Sequence, residues 1–308
     1  MKARKSLISS KGYIISVALV IIALFSAWMV KSAFLTLSLI ISDIFILLAF
    51  SWDFSSGTTN YTNFGVSFFF GVGAFSTGYF YFTFHMPIPL LLILAMVFGI
   101  IAGLVFTIPT IRVRGVFFTL LSLLLPLIGT SFILAFWTVL GMPTIGYFDI
   151  PSISSSAQIS LLYISILTIA VLTIAYYLVS STHFGLILKG IGNDEDALTF
   201  QGINTFPYKV AIFSTSMGVA ALAGAIYATT TTFAGVDTFG LEFLLYPMVI
   251  AILGGKGGII GAVPAGYLII LISQYLQPYV GDLTLMLFAA LAIALFLFFP
   301  KGISGWYK

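Results

Sequence analysis

Residues Ile88–Ile108 read IPLLLILAMVFGIIAGLVFTI, a run without a single charged side chain. As a helix rising ~1.5 Å per residue it is about 30 Å long, the thickness of the hydrocarbon core of a bilayer. The whole chain has the same character. Hydrophobic residues make up 60% of its 308 residues and charged residues 7%, against about 25% charged in a typical water-soluble domain. So few charges cannot build a soluble surface, and lipid must cover most of the outside.

Working outward from Ile88–Ile108, nine further stretches qualify or nearly qualify as spans. They are Tyr13–Val30, Phe34–Ser51, Phe64–Phe84, Val116–Val139, Ile159–Val179, Val210–Thr230, Leu241–Leu253, Ile259–Leu276 and Leu283–Phe299. The expected fold is therefore all-α, a single polytopic membrane domain over residues 1–308 with about ten transmembrane helices. Leu241–Leu253 is short for a straight span, and Phe64–Phe84 is interrupted by Gly65, Gly71, Gly73 and Gly78. Some helices are accordingly expected to be broken or re-entrant. The basic stretch Met1–Lys11 ahead of the first apolar run is also the opening of a secretory signal. The length of that run, the lack of a small-x-small site closing it, and the apolar run directly after Lys31 favour a retained span.

Basic residues mark the cytoplasmic side of a membrane protein. With the N-terminus inside and sides alternating through ten spans, Lys2, Arg4, Lys5, Lys11, Arg112, Arg114, Lys189, Lys209, Lys256, Lys301 and Lys308 fall inside, and Lys31 alone falls outside. Both termini are then cytoplasmic, with a cytoplasmic N-terminal segment over 1–12 and a long polar cytoplasmic loop over 180–208. The chain has no cysteine and two scattered histidines, so neither a thiolate site nor a histidine metal site is expected, and no cofactor is expected. No GxxxxGK[ST] run is present, so ATP binding through a P-loop is not expected in this chain, and it does not read as an enzyme. The small net charge of +3 gives no reason to expect nucleic acid.

Four features carry functional expectations. In the loop Gly192–Asn204, Asn193 or Asp194 suits the cap of a short helix, the run Asp194, Glu195, Asp196 suits its positive end, and Gly202 suits a left-handed stop. That helix reads either as a solvated surface element or as one that docks into a groove on a cytoplasmic partner. In Gly254–Gly266, Gly257, Gly261 and Ala265 are four apart, a smooth face for helix packing; with Gly254 and Gly255 they equally fit a surface turn or backbone exposed to a cavity. The segment Asn60–Phe75 has polar side chains, Asn63 among them, at the entrance to a glycine-rich span. They read as contacts for a polar solute or as an interfacial cap. Asp43 is the one acidic residue deep in an apparent span, where burial is expensive. It either lines a pathway or bonds Ser42, Ser38 or a neighbouring helix. His85 is expected at the outer interface, and Trp28, Trp137 and Trp306 in an aromatic belt.

In order along the chain, these segments resemble the permease subunits of ABC importers for branched-chain amino acids, specifically the M-type partner of the permease pair. Gly65-Val66-Ser67-Phe68-Phe69-Phe70-Gly71-Val72-Gly73-Ala74-Phe75 is similar to the family's G-H-A-A-F-F-G-I-G-A-Y. Arg112-Val113-Arg114-Gly115-Val116-Phe117-Phe118 is similar to R-x-R-G-x-Y-F. Glu195, Ala197, Gly202, Ile203 and Asn204 match E-x-A-A-x-x-x-x-G-[IV]-N. Ala223–Ala228 and Gly254–Gly261 match A-G-A-L-Y-A and G-G-x-G-x-x-x-G, and Pro300-Lys301-Gly302 resembles the terminal P-[RK]-G. Val66 stands in place of the frequent histidine, and Leu198 in place of the loop's second alanine.

The resemblance implies one half of a permease pair in the cytoplasmic membrane. A second permease subunit, two cytoplasmic ATP-hydrolysing subunits and an extracytoplasmic solute-binding protein would be its partners. Asp194, Glu195, Ala197, Gly202, Ile203 and Asn204 would form the coupling helix, and the solute path would run along the permease interface by the glycine-broken third span. Asp43, Asn63, Gly65, Gly71, Gly73, Gly254, Gly255, Gly257 and Gly261 are the pathway or packing candidates. The implied substrate is a branched-chain or other amino acid, while relatives of this fold also move sugars and urea. Two other readings compete: an ATP-independent secondary transporter or channel, which broken helices and Asp43 would fit, and a membrane assembly subunit without a pathway of its own.

Overall fold

The computed structural model describes residues 32–113, 115–139, 147–150, 155–255, 257, 261–281 and 283. Nine α-helices lie within them: α1 (Ala33–Trp52), α2 (Val66–Phe84), α3 (Ile88–Thr110), α4 (Val116–Phe136), α5 (Ser155–Ser180), α6 (His183–Phe200), α7 (Phe206–Thr231), α8 (Glu242–Gly254) and α9 (Ala262–Val280). A π-helical turn, Asp53–Gly57, extends α1, and a 3-10 turn, Val236–Phe239, precedes α8. Eight of the ten expected spans coincide with one of these helices. The first, Tyr13–Val30, and the tenth, Leu283–Phe299, lie outside the described residues apart from Leu283.

Among the described residues, five helices are long and apolar enough to cross a membrane: α1 with its π turn, α3, α4, α5 and α7. Helices α2 and α9 are of spanning length too, but carry more glycine, serine, tyrosine and glutamine. At 13 residues α8 reaches only about 20 Å, two thirds of the hydrocarbon core, and is a half-helix as its short run suggested. The glycine-rich α2 is the exception to the expectation of broken helices. It runs unbroken, because its glycines are places where a neighbour comes close rather than places where the helix opens.

α7 is the centre of the bundle and packs against α3, α2 and α1, while α1 in turn packs against α9, α8 and α5. The sequence of α7 explains its place. Gly218, Ala220, Ala221, Ala223, Gly224, Ala225 and Ala228 keep its surface low, so that neighbouring backbones approach closely. A Cβ on Gly73 of α2 would strike the Ala221 carbonyl of α7, and one on Gly224 would strike the Phe70 carbonyl. On the α3 side, Gly99 and Gly103 face Ala221 and Met217, and Gly218 faces Ile100. By contrast, α3, α4 and α5 turn large apolar side chains outward, among them Val105, Phe117, Leu127 and Leu167. Their outer faces belong in lipid.

The structure adds an element that helical periodicity does not reveal. Tyr147–Asp149 (β1) pairs antiparallel with Phe233–Gly235 (β2), in the register Tyr147 to Gly235, Phe148 to Ala234 and Asp149 to Phe233. Three residues are too few for an alternating pattern to be read. Buried Phe148 packs with Ala74, Phe75, Ile133 and Phe239, fixing the ribbon over the ends of α2 and α4.

Candidate functional site

The polar loop 180–208 folds as a bent helical arm. The first part of α6 buries Ile187, Leu188 and Ile191, against which Leu198, Ile203, Tyr208 and Ile212 pack. At Asp194 the backbone leaves the helix (φ −158°, ψ 99°). The Asp194 carboxylate then accepts the Ala197 N–H at 3.0 Å, which makes Asp194 the N-cap of a short terminal helix. That helix stops in a Schellman turn. The Ile203 N–H donates to the Leu198 carbonyl at 3.1 Å, and the Gly202 N–H donates to Thr199 at 3.0 Å. Gly202 has φ +81° and open space where a Cβ would stand, so the backbone conformation alone calls for glycine. Asn204 accepts the Phe206 N–H at 3.1 Å and leads the chain into α7.

The acidic run at this bend is divided by the fold. Asp194 caps, Asp196 points outward, and Glu195 turns inward. Glu195 Oε1 accepts from Thr205 Oγ1 at 2.6 Å and from Lys209 Nζ at 2.7 Å, and Oε2 accepts from the Tyr61 hydroxyl at 2.6 Å. Lys209 Nζ also donates to the Tyr61 hydroxyl at 3.2 Å and to the Ile111 carbonyl at 3.5 Å, and lies 4.8 Å from the Tyr61 ring centre. The side chains of Lys209 and Glu195 are only 5% and 9% exposed. Burial pushes the Glu195 carboxyl up. The three hydrogen bonds and the Lys209 charge outweigh that and hold it below the ordinary glutamate range. One cluster thus fastens α6, α7, the 60–65 segment and the end of α3 together. Asn60 adds a bond from its amide to the Gly192 carbonyl at 2.6 Å. The bend leaves exposed, among others, Asp194, Asp196, Thr199, Asn204 and above all Phe200, which is 91% exposed.

The same end of the bundle holds the second glycine cluster. Asp53, in the π turn, accepts the Gly257 N–H at 2.8 Å, while the Tyr176 hydroxyl donates to the Gly257 carbonyl at 2.5 Å. Gly255 and Gly257 have φ of +98° and +70°. Gly254 and Gly261 bring their backbones into contact: a Cβ on Gly261 would strike the Gly254 carbonyl. Gly257 is thereby pinned to α1 and α5. Lys256 and residues 258–260 lie outside the described residues.

The remaining sequence candidates are dispersed. Fully buried Asn63 accepts the Gly65 N–H at 2.8 Å at the start of α2 and donates to Met217 Sδ at 3.7 Å. Gly65 faces Leu125 and the Ser122 carbonyl, and Gly71 faces the Phe239 ring. Asp43 is fully buried in α1. One of its oxygens accepts from Ser165 of α5 at 2.6 Å and the other from Tyr267 of α9 at 2.6 Å. Ser42 bonds instead to the Ser38 carbonyl. Among the described residues no three His, Cys, Asp or Glu side chains gather as a metal site.

The two ends of the bundle differ in charge. Arg112, Lys189 and Lys209, the basic residues among those described, lie at the end with the α6 arm. The opposite end has Asp237 and Glu242 and opens into a cavity of about 530 Å³. That cavity is walled by Ile41 and Phe45 of α1, Tyr227 of α7, Phe243 and Tyr246 of α8, and Ser273, Gln274 and Gln277 of α9.

Sequence reasoning passed over Tyr61, Lys209, Asp53, Tyr176, Phe200 and this cavity. Lys209 and Asp53 did leave a signal, since each is a lone charge just inside an apolar helix and such a charge needs a partner. The signal for the cavity was Ser273, Gln274 and Gln277, polar residues on one face of an otherwise apolar span. Nothing local marked Tyr61, whose role exists only once α6 folds back on it.

No curated protein matches the chain, and no solved structure matches it. The sequence pattern of one protein family, branched-chain amino acid transport system / permease component, matches residues 32–299, a range that takes in every described helix. With its long apolar helices and lipid-facing surfaces, the chain belongs to this family and is a membrane-embedded, multi-pass permease component.

Proposed function

We propose that this chain is the membrane-spanning subunit of an ATP-driven importer, paired in the cytoplasmic membrane with a second permease chain. Two cytoplasmic ABC ATPase subunits and an extracytoplasmic solute-binding protein complete the assembly, and an amino acid, branched-chain first, is the solute. The end bearing Arg112, Lys189 and Lys209 faces the cytoplasm under the positive-inside rule, so the α6 arm sits where an ATPase docks. Its tip offers exposed Phe200 as an aromatic anchor with Asp194 and Asp196 beside it, the kind of residue that dominates interface energetics when buried by a partner.

The observation that carries the reading is the buried cluster of Glu195, Lys209, Tyr61 and Thr205. A docking helix transmits movement only if it is rigid and fastened to the spans. The Asp194 cap and the Gly202 turn make the tip rigid, and Glu195 fastens it to α7, the central helix. A displacement of the tip then moves α7 against α1, α2 and α3. The roles divide accordingly. Asp194, Ala197, Gly202, Ile203 and Asn204 shape the tip, Phe200 meets the partner, and Glu195 passes the movement on. The α2 glycines, Gly71 and Gly73, pack against neighbours, so the polar cavity at the opposite end is the stronger candidate for a stretch of the solute path.

The test is reconstitution with the ATPase subunits, the partner permease and the binding protein in proteoliposomes. ATP-dependent leucine uptake is expected for the wild type. Phe200→Ala and Gly202→Asp should lower ATPase co-purification and uptake at least tenfold while the permease stays monodisperse. Unchanged assembly and uptake in both variants would remove the docking role.

A further inference from the structure

A first-turn glutamate such as Glu242 is at home at a helix N-terminus, and by itself it would carry nothing. The walls around it carry more. Among the described residues that line the 530 Å³ cavity, Glu242 is the one carboxylate and none is basic. Asp237, one turn earlier, adds a second negative charge that acts on Glu242 and on Tyr227. Four aromatic rings also line the cavity. Phe45 stacks on Phe243 with centroids 5.6 Å apart and meets Tyr246 at 5.4 Å, and Tyr227 meets Phe243 edge-on at 5.2 Å. A polar stripe on α9 lines it as well. Ile270, Ser273, Gln274, Gln277 and Gly281 follow helical spacing toward the cavity, and Ser273 shares a hydrogen bond with the Tyr246 hydroxyl at 3.3 Å.

Polar side chains on a membrane helix turn toward protein or a water-filled cavity, where they mark solute routes. A cavity of this volume accommodates a small-molecule ligand. Its chemistry selects the sign of that ligand. A carboxylate beside aromatic rings, with no basic side chain among the described lining residues, favours a cation, and ring faces attract ammonium groups as well. The glutamine amides and the Ser273 hydroxyl supply donors and acceptors for the remaining polar atoms of a solute, a carboxylate included. From this geometry we infer that the cavity between α1, α7, α8 and α9 is a solute site that receives the ammonium end of a zwitterionic or cationic solute, with Glu242 as its charge partner. The inference rests on the transport reading above and narrows it: simple anions and uncharged sugars gain nothing from Glu242.

The chain has no cysteine of its own, so Gln274→Cys gives a single reporter inside the cavity. The measurement is its rate of alkylation in the assembled complex in nanodiscs, with four probes: leucine, leucinamide, tetramethylammonium and 4-methylpentanoate. Leucine and leucinamide are expected to slow alkylation at least fivefold, tetramethylammonium to slow it less, and 4-methylpentanoate to leave it unchanged. Adding Glu242→Gln should abolish the protection, and Glu242→Asp should restore part of it. Protection by 4-methylpentanoate equal to that by leucine, protection that survives Glu242→Gln, or no protection by any ammonium compound would each overturn the inference. ATPase co-purification and ATP hydrolysis are measured on the same samples. A complex that assembles and hydrolyses ATP without protection sinks the inference alone. Protection in a chain that never binds the ATPase sinks the ATP-driven reading alone.

Discussion

Lys209 enters the membrane one turn into α7, where an isolated cation would be costly. Its partner is Glu195, fourteen residues earlier and across a turn, at 2.7 Å. Removing one member of a buried pair strands the other, at about 3 kcal/mol. Lys209→Met should therefore lower the melting temperature and weaken ATP-dependent uptake. The double variant Lys209→Met with Glu195→Gln should recover most of the stability but not the uptake, because the fastening to Tyr61 and Thr205 is weakened. Strictly additive melting shifts would show that the two side chains do not act as a pair. The pH dependence follows from the sign of the Glu195 shift. Its carboxyl lies below the ordinary glutamate range in the folded chain, so the unfolded chain binds the proton more readily. The stability it contributes is present above the ordinary glutamate value and is lost as the pH falls through the lowered one. Amide exchange protection over residues 192–205 is expected to hold steady from about pH 8 to pH 5 and to fall below about pH 4.

At the scale of the helices, Asp43 decides between two readings of the spans. As a proton relay it would need an ionisable carboxyl and an exchange partner. As a lock it needs only to accept hydrogen bonds from Ser165 and Tyr267, joining α1 to α5 and α9. Both oxygens are engaged by hydroxyls, and Asp43 is not among the cavity walls. Asparagine keeps one acceptor, and hydroxyls also accept from its amide. Asp43→Asn is expected to retain folding and uptake within about threefold, whereas Asp43→Leu should destabilise the bundle. Uptake abolished in a well-folded Asp43→Asn protein would favour the relay. The contrast between α2 and α8 belongs here too. Both looked irregular in sequence, one for its glycines and one for its length. Glycines packed against α7, Phe239 and the β ribbon leave the α2 ladder intact, whereas α8 ends at Gly254 and is followed by Gly255 with a φ of +98°.

Over the molecule as a whole, charge and cavity are set at opposite ends. The basic end carries the α6 arm and the pinned Gly257, and the other carries the β ribbon, Asp237 and the cavity mouth. Single cysteines in the naturally cysteine-free chain test this polarity. In intact cells, an impermeant maleimide should label His85→Cys, and it should label Phe200→Cys only after the membrane is opened. The reverse pattern would invert the protein and withdraw the docking role of Phe200. Both positions are exposed in the fold, so accessibility reports the side of the membrane rather than burial.

Some of this was legible residue by residue. Hydropathy alone located eight of the described helices within a few residues, since a bilayer demands long apolar runs and leaves few other ways to satisfy the backbone. Local chemistry also offered Asn193 or Asp194 as a helix cap and Gly202 as its stop, because caps and left-handed turns depend on neighbours in sequence. The inward turn of Glu195, the hold of Asp53 on Gly257, the β ribbon and the polar cavity were decided only by tertiary structure. Each joins residues far apart along the chain, and an acidic residue reads the same in sequence whether it meets a partner, a lysine or water. Packing of the small-faced α7 at the centre brings those distant residues together.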